Sequence, residues 1–259
     1  MRVVTSEMMR EIDRITIEDR KIPGIELMKK AGSGVAGVAQ SILKAEEWDS
    51  VLVLCGPGNN GGDGWIAARL LNAAGYKVRV ATPVPPAKLS GDAATAFEMA
   101  REESVEYAFF PKGEIVTENC DLIIDALLGT GASGAPRGAI GEMVRRALDS
   151  GLPAIAVDNP TGVNSDSGEV SGDAIYAMAT ATFGLPKLGQ FRHPGREYVG
   201  RLMVVDIGIP EDVYAKMTPA MITDDTANLA SILPYRPGDA HKGVFGKVSV
   251  IAGSAGMSG

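Results

Sequence analysis

Cysteine and histidine are scarce in this sequence. The two cysteines are Cys55 and Cys120, the two histidines are His193 and His241, and no pair of cysteines has the Cys-x-x-Cys spacing. A zinc site takes several nitrogen or sulfur ligands, which so few residues can hardly supply, so zinc chemistry is not expected. Each cysteine lies in or beside an apolar run, which predicts reduced thiols in the core rather than a disulfide framework.

The sequence also lacks a basic cluster and a long hydrophobic run. Its 25 Lys and Arg residues stand against 32 Asp and Glu residues, for a formal net charge of −7. A chain with this charge has no positive surface potential to attract a polyanion, so nucleic acid is not expected as a partner. No apolar stretch approaches the roughly 20 residues that span a bilayer. The first residues lack the apolar segment of a signal peptide, so no membrane association and a cytoplasmic location are expected.

What the sequence does contain is a regular alternation of short apolar runs and helical patterns. With 259 residues, 45% of them hydrophobic, the chain can bury one large core. Apolar runs predict seven strands at residues 51–55, 77–82, 104–109, 121–126, 153–158, 179–184 and 201–206. Helices are predicted at 6–19, 63–74 and 139–149, and around the apolar repeat from 28 to 42, where Gly32, Gly34 and Gly37 suggest a close-packing face. The fold class predicted is α/β, a three-layer αβα, Rossmann-like, doubly wound and mainly parallel sheet.

The character of the chain changes after Pro210. A segment with several prolines and acidic residues leads to one more apolar strand at 247–252 and another glycine-rich turn. We therefore predict a division into residues 1–212 and 213–259, the second part being a linker and the start of a further nucleotide-type domain. The alternative is that the apolar run at 247–252 forms an extra edge strand on the first sheet. In either arrangement an unpaired apolar strand edge promotes association with another chain.

The most distinctive segment joins the strand at 51–55 to the next helix. It reads Gly56-Pro-Gly-Asn-Asn-Gly-Gly-Asp-Gly64, and glycines at a helix start let backbone N–H groups approach a phosphate closely. A P-loop would need a lysine after Gly61, which is absent, and a dinucleotide fingerprint would need an acidic residue about 20 positions on, which is also absent. No Gly-x-Ser-x-Gly nucleophile elbow occurs. The segment therefore predicts a phosphate cradle of another kind.

Three apolar runs carry an aspartate at or near their ends, namely Asp125, Asp158 and Asp206. The carboxyl ends of parallel strands form the ligand-binding edge of such a sheet. Asp125 is followed by a second glycine-rich segment at 129–138, and Asp158 by Asn159-Pro-Thr161. With Asn60, these residues make an oxygen-rich corner that suits a monovalent cation, and we predict potassium. A loop cap is the simpler interpretation of any one of these aspartates.

Together, these segments resemble the NAD(P)H-hydrate epimerase family. The resemblance is carried by Gly58-Asn-Asn-Gly-Gly-Asp-Gly64, by the segments 125–131 and 158–162, and by Phe183-Gly-Leu-Pro-Lys-Leu-Gly189, and it spans about residues 5–210. The tail at 241–259 resembles the opening of a ribokinase-like NAD(P)H-hydrate dehydratase domain, which bifunctional repair enzymes carry behind the epimerase.

The resemblance implies a substrate, a cofactor and partners. The substrate would be NADH or NADPH hydrated at C6 of the nicotinamide ring. The family interconverts the R and S epimers of this hydrate, and a dehydratase then converts the S epimer back to NADH or NADPH. A homodimer is implied by the resemblance alone. Potassium would be held by Asn60, Asp125 and Thr161. Substrate contacts are implied for Asn59, Asn60, Gly61, Gly62, Asp63, Gly129, Thr130, Gly131, Ala132, Ser133, Gly134, Ala135 and Asp158.

Among these residues Asp158 is our hypothesis for the catalytic acid/base, because it combines a strand-end position with the adjoining ion site. Inversion at C6 requires proton transfer, through either an iminium ion or ring opening. Lys187 is a weaker candidate for charge support, since an exposed lysine is the simpler interpretation. Ala132 and Ser133 depart from the family's usual residues, so that one phosphate or ribose contact is either missing or supplied by Arg137.

Two other functions stay open at this point. The first is a non-catalytic module of the same fold that binds nucleotides or proteins. The second is an NAD-linked oxidoreductase, against which the missing ribose-binding acid speaks. Dehydratase activity is expected only in a longer, bifunctional chain.

Overall fold

A computed structural model describes residues 1–110, 117, 119–215 and 217–223. The chain divides into two compact units, one of which is Arg2–Ile222; the other consists of Met1 and residues 223–259, almost all outside the described residues. The predicted strand at 247–252 therefore lies outside them. The division at 212 stays a prediction, and the first unit continues past it to Ile222.

The first unit consists of helices and strands in alternation. The helices are α1 (Ser6–Arg14), α2 (Gly24–Ala45), α3 (Asn59–Ala73), α4 (Gly91–Glu102), α5 (Gly138–Asp149), α6 (Gly195–Tyr198) and α7 (Glu211–Ala215). The strands are β1 (Arg2–Val3), β2 (Ser50–Cys55), β3 (Lys77–Thr82), β4 (Glu106–Phe109), β5 (Leu122–Ala126), β6 (Ala154–Val157), β7 (Ala179–Phe183), β8 (Arg201–Val205) and β9 (Met221–Ile222). Within the described part of the chain, no helix is both long and apolar enough to cross a membrane.

All seven predicted strands belong to one parallel sheet. Its order is β4-β3-β2-β5-β6-β7-β8, and each neighbouring pair is parallel. The chain runs outward from β2 in one direction and then outward from β5 in the other, so the direction switches between β2 and β5. That gap is the place where open α/β sheets bind ligands. β1 and β9 pair separately as a two-stranded antiparallel ribbon.

Alternating side chains of the sheet divide the core into two layers. On β2, Val51, Val53 and Cys55 pack in the cluster that includes α2 and α3, whereas Leu52 and Leu54 pack in the cluster that includes α5. Successive strand residues point to opposite faces, so helices cover both faces of the sheet. The three-layer αβα prediction is confirmed, and both cysteines are buried as expected.

Glycine lets α2 approach its neighbours closely, although only in part as predicted. A Cβ atom at Gly32 would lie 2.5 Å from the Ile66 Cβ atom of α3, and one at Gly34 would lie 2.1 Å from a Val205 methyl group of β8. A Cβ atom at Gly37 would meet nothing within 4 Å, so Gly37 is not part of the packing face. The close contact at Gly32 holds α3 against α2 beside the site described next.

The N-terminal helix begins as predicted and ends earlier. The Met8 backbone N–H donates to the Thr5 hydroxyl at 3.2 Å, which caps α1. The α-helical geometry stops at Arg14 and a single π-helical turn, Ile15–Asp19, follows. As a result α1 presents Met9, Arg10 and Asp13 to a cavity at the end of the sheet.

Candidate active site

A cavity of about 600 Å³ lies beyond the carboxyl ends of the neighbouring strands β2 and β5, where the segments that follow them diverge. Its walls come from α1, α2, the start of α3, the segment after β5 and the residues after β6 and β7. Eight of the predicted substrate contacts line it: Asn59, Asn60, Asp63, Gly129, Thr130, Gly131, Ala132 and Asp158. The remaining five, Gly61, Gly62, Ser133, Gly134 and Ala135, do not line it.

The glycine-rich segment is shorter than predicted, because α3 begins at Asn59 and not at 63. Only residues 56–58 connect β2 to the helix. No side chain caps α3, so its first-turn N–H groups are available to a ligand, and a helix start carries a partial positive charge. Asn59 and Gly58 line the cavity at this helix start, which fits an anionic group such as a pyrophosphate.

Gly61 and Gly62 are needed for packing within the protein. A Cβ atom at Gly61 would lie 1.9 Å from the Gly56 carbonyl oxygen, and one at Gly62 would lie 2.6 Å from the Met28 sulfur and terminal methyl group. Both positions are buried. These glycines therefore allow α3 to start close to its own loop and to α2, which explains the motif without a ligand contact at either residue.

Asp158 follows β6 in an unusual backbone conformation. Its φ angle is +63°, in the left-handed region that few residues other than glycine adopt, and its N–H donates to the Ala181 carbonyl at 2.8 Å. Backbone strain of this kind is concentrated at functional sites. The turn directs the Asp158 carboxylate into the cavity wall, where Thr182 and Phe183 also contact it.

Lys187 is fully buried, so the interpretation as an exposed lysine is wrong. Its ammonium group forms an ion pair with the Asp158 carboxylate and also donates to the Thr182 hydroxyl at 3.0 Å and the Phe183 carbonyl at 3.1 Å. Three acceptors thus satisfy its three N–H bonds. A buried charge is tolerated only when paired in this way, so the cavity holds a fixed ammonium–carboxylate pair.

Gln190 is a positioning residue that the sequence interpretation missed. It lies in the 3-10 turn Leu188–Phe191; its amide nitrogen donates to the Asp158 carbonyl at 2.8 Å and its amide oxygen accepts from the Lys187 N–H at 2.8 Å. Gln190 therefore fixes the backbone of both charged residues. Its position three residues after Lys187, in a helical turn, is the local signal that could have identified it.

Three further carboxyl side chains line the same cavity, those of Asp13, Asp63 and Asp92, and the first two have raised pKa values. Asp13 of α1 was missed by the sequence interpretation; burial raises its pKa to about 6, while Lys187 opposes and Asp158 adds to that rise. The pKa of Asp63 is raised well above its ordinary value, mainly by burial and then by Asp158 and Asp13. No local pattern could have identified Asp13, because only the fold brings α1 to the carboxyl edge of the sheet.

Asp125 and Thr161 come together behind the cavity wall, as the predicted ion site requires. The Thr161 hydroxyl donates to one Asp125 oxygen at 2.7 Å, and the Thr161 N–H donates to the other at 2.8 Å. Asp125 is fully buried, and burial raises its pKa to about 6. No cationic side chain among the described residues contributes to that pKa, so the Asp125 carboxylate lacks a balancing charge.

Asn60, the third predicted ion ligand, lies beside the segment that follows Asp125. Its amide oxygen would be 3.1 Å from a Cβ atom at Gly129, and its amide nitrogen is buried without a hydrogen-bond partner. The described residues contain no cluster of three or more His, Cys, Asp or Glu side chains, the kind of cluster that would hold a transition metal. The Asp125 carboxylate and the Thr161 hydroxyl lie together, and carboxylate and hydroxyl oxygens are donors that hard cations accept.

Arg137 does not supply the contact that Ser133 lacks. It precedes α5 as its N-terminal flanking residue, its side chain is exposed, and it does not line the cavity. Arg10 of α1 lines the cavity instead. If a cationic contact to a phosphate exists here, Arg10 is the better placed residue.

Comparisons with known proteins give consistent matches. The model of a family described as YjeF-related protein N-terminus matches residues 24–189. The chain is 38% identical over 219 residues to the NAD(P)H-hydrate epimerase of Rhodopirellula baltica, covering 83% of this chain and 88% of that protein. It is 34% identical to the bifunctional NAD(P)H-hydrate repair enzyme Nnr of Moorella thermoacetica, covering all of this chain and 50% of that protein. The chain thus spans about half the length of its bifunctional relatives.

A solved structure shares the fold. The crystal structure of yeast ynu0 superposes with a TM-score of 0.71 at 24% identity, covering 87% of this chain and 98% of the yeast chain. At that level of identity the likeness concerns the fold alone.

Proposed function

The chain belongs to the family of YjeF-related protein N-termini, and from this premise we propose that it interconverts the R and S epimers of NADH or NADPH hydrated at C6 of the nicotinamide ring. Several relatives that it matches over most of their length carry the name NAD(P)H-hydrate epimerase. The observation that supports the proposal most strongly is the buried Asp158–Lys187 pair in the wall of a dinucleotide-sized cavity at the sheet's switch point.

The cavity offers different environments to the two ends of such a substrate. The pyrophosphate would lie at the uncapped start of α3, against Asn59 and Asn60 and against residues 129–132, where N–H groups and a helix dipole favour negative charge. The nicotinamide ring would lie at Asp158, which we propose as the catalytic acid/base. Lys187 holds the Asp158 carboxylate in place through the ion pair, so that the carboxylate can take a proton from the C6 hydroxyl or from water.

We propose further that Asn60, Asp125 and Thr161 hold a potassium ion. The proposal is supported by a buried carboxylate without a balancing cation and by an adjoining hydroxyl. A bound cation there would stabilise the segments after β5 and β6, which line the cavity, and would add positive charge near the proposed pyrophosphate position. The rest of the chemistry belongs to the side chains of the cavity.

Potassium is expected to stabilise this protein specifically. At a concentration about 100 times its Kd, a bound ion adds about 2.7 kcal/mol to the free energy of unfolding, a rise in Tm of roughly 5–10 °C for a protein of this size. Thermal unfolding in potassium chloride and in lithium chloride of equal ionic strength measures the difference. Asp125→Asn and Thr161→Val should lose it, whereas Thr161→Ser, which keeps the hydroxyl, should retain it. Equal Tm values in the two salts would exclude the ion site.

The competing interpretation is a binding module of the same fold without catalysis. A single purified epimer of the hydrated dinucleotide, incubated with the protein and then separated by chromatography, distinguishes the two. An epimerase produces the other epimer far faster than the spontaneous reaction, whereas a binding module leaves the spontaneous rate unchanged. An NAD-linked oxidoreductase would instead change the nicotinamide absorbance only when a second substrate is added.

The partners of the reaction follow from its chemistry. A dehydratase must consume the S epimer, and we propose the dehydratase domain that bifunctional relatives carry; this chain by itself is not expected to dehydrate. A homodimer, a cytoplasmic location and the absence of nucleic-acid and membrane partners stay predictions.

A further inference from the structure

Asp63 has a buried carboxyl group that faces the cavity without a partner. The residue is 8% exposed and lines the cavity, and no hydrogen bond from a described residue contributes to its pKa. The charged groups around it are Asp158 and Asp13, which raise that pKa, and Lys187, which opposes them; the neighbouring Cys55 thiol is buried too. Burial and the neighbouring carboxylates therefore favour the protonated form of this carboxyl group.

Asp63 and Asp158 reach the same cavity from different elements of the fold. Asp63 lies on α3, which follows β2, and Asp158 follows β6, with β5 between these two strands. Both side chains line this cavity, as do Leu127 and Leu128 after β5, and Asp158 is close enough to raise the pKa of Asp63. Enzymes that invert a sugar carbon place two carboxyl groups roughly 6.5–9.5 Å apart, which leaves room for water.

We propose that Asp63 is the second acid/base group of the epimerase and serves the face of the nicotinamide ring opposite Asp158. This inference rests on the proposed function. The protonated Asp63 gives its proton to the C6 hydroxyl, the C6–O bond breaks, and the oxygen leaves as water while the N1 lone pair forms a C6=N1 iminium ion. A second water then attacks C6 from the other face, loses a proton to the Asp158 carboxylate, and returns the lone pair to N1. In the reverse direction the two carboxyl groups exchange roles.

The charge of the cavity supports an iminium ion rather than ring opening. With Asp63 protonated, the other charged side chains among the described residues that line the cavity are Asp13, Asp92 and Asp158, which are negative, and Arg10 and Lys187, which are positive, so one negative charge is in excess. Fixed charges aimed at a developing opposite charge stabilise a transition state. An iminium ion is positive, whereas ring opening to an aldehyde creates no such cation, so this wall favours the first route.

Oxygen-18 water tests the route with the wild-type protein. Loss and return of water predicts that each inversion at C6 introduces one solvent oxygen, detected as a mass increase in the product epimer above that of an enzyme-free control. Inversion without oxygen exchange would overturn the inference, because ring opening keeps the original oxygen. A protein that does not accelerate inversion at all would instead contradict the proposed function.

The variant Asp63→Asn tests the residue. We expect kcat to fall about 10²–10⁴-fold with KM little changed, and Tm to stay equal or rise, because the amide removes an unpartnered buried carboxyl group. Wild-type kcat should also decline at alkaline pH as Asp63 loses its proton, and a structural role would not cause that decline. Asp149→Asn, an exposed substitution at the end of α5, serves as the matched control with unchanged kinetics. Wild-type kcat in Asp63→Asn would overturn the assignment.

Discussion

Asp158→Asn is expected to lower the rate of epimerisation by about 10²–10⁴-fold, the usual contribution of a general acid/base. The amide keeps the size of the side chain and its contacts with Thr182 and Phe183, but it cannot accept a proton from water or from the C6 hydroxyl. The effect should therefore fall on kcat more than on KM. Chromatographic separation of the two epimers over time measures both constants.

Asp206→Asn is the matched control for this substitution. Asp206 also follows a strand of the same sheet, but it is exposed, its carboxylate accepts from the Gly208 N–H at 2.7 Å, and it does not line the cavity. Its variant should epimerise at the wild-type rate. If Asp158→Asn did so as well, Asp158 would not be the acid/base.

Lys187→Met is expected to destabilise the protein by about 3–5 kcal/mol, the cost of leaving one member of a buried ion pair without its partner. Methionine fills similar space, so the loss comes from the unpaired Asp158 carboxylate and not from a cavity. The free energy of unfolding from urea titration measures the loss. Activity should fall too, because the ion pair no longer holds the carboxylate in place.

A double variant separates charge from packing. In Lys187→Met/Asp158→Asn no buried charge is left unpaired, so the double variant should be more stable than Lys187→Met alone, with a coupling energy of about 0.5–3 kcal/mol. Strictly additive effects of the two substitutions would show that the pair makes no buried electrostatic interaction. Catalysis should be lost in the double variant, which distinguishes recovery of stability from recovery of function.

The parallel sheet could be predicted from the sequence because its strands are buried on both faces. Runs such as Leu122–Ala126, every residue of which is buried, show no polar alternation and are typical of parallel strands. The same reasoning placed Asp125 and Asp158 at one edge, and the structure brings Asp158 into the cavity wall and pairs Asp125 with Thr161.

The start of α3 could not be predicted in the same way. Glycine and asparagine are poor helix formers, so residues 59–62 favour a loop on local grounds. The helix nevertheless begins at Asn59, and the fit of Gly61 and Gly62 against Gly56 and Met28 provides the tertiary contacts that override local preference. Gly61 and Gly62 are consequently buried against these groups and do not line the cavity.

The charged groups at the centre of the site could not be predicted from the sequence either. Lys187 and Asp158 are 29 residues apart in the chain, and nothing near Lys187 indicates burial. Asp13 lies still farther away, on α1. The placement of both residues depends on how β6, β7 and α1 converge at the carboxyl edge of the sheet. Contacts between residues so distant in the chain produce no periodic pattern in the sequence.

The most direct test follows the two pure epimers separately in the presence of potassium. An epimerase converts each of them to the same final R/S mixture, at a rate proportional to protein concentration and far above the spontaneous rate. A protein that binds the hydrated dinucleotide but leaves both conversions at the spontaneous rate would contradict the proposed function.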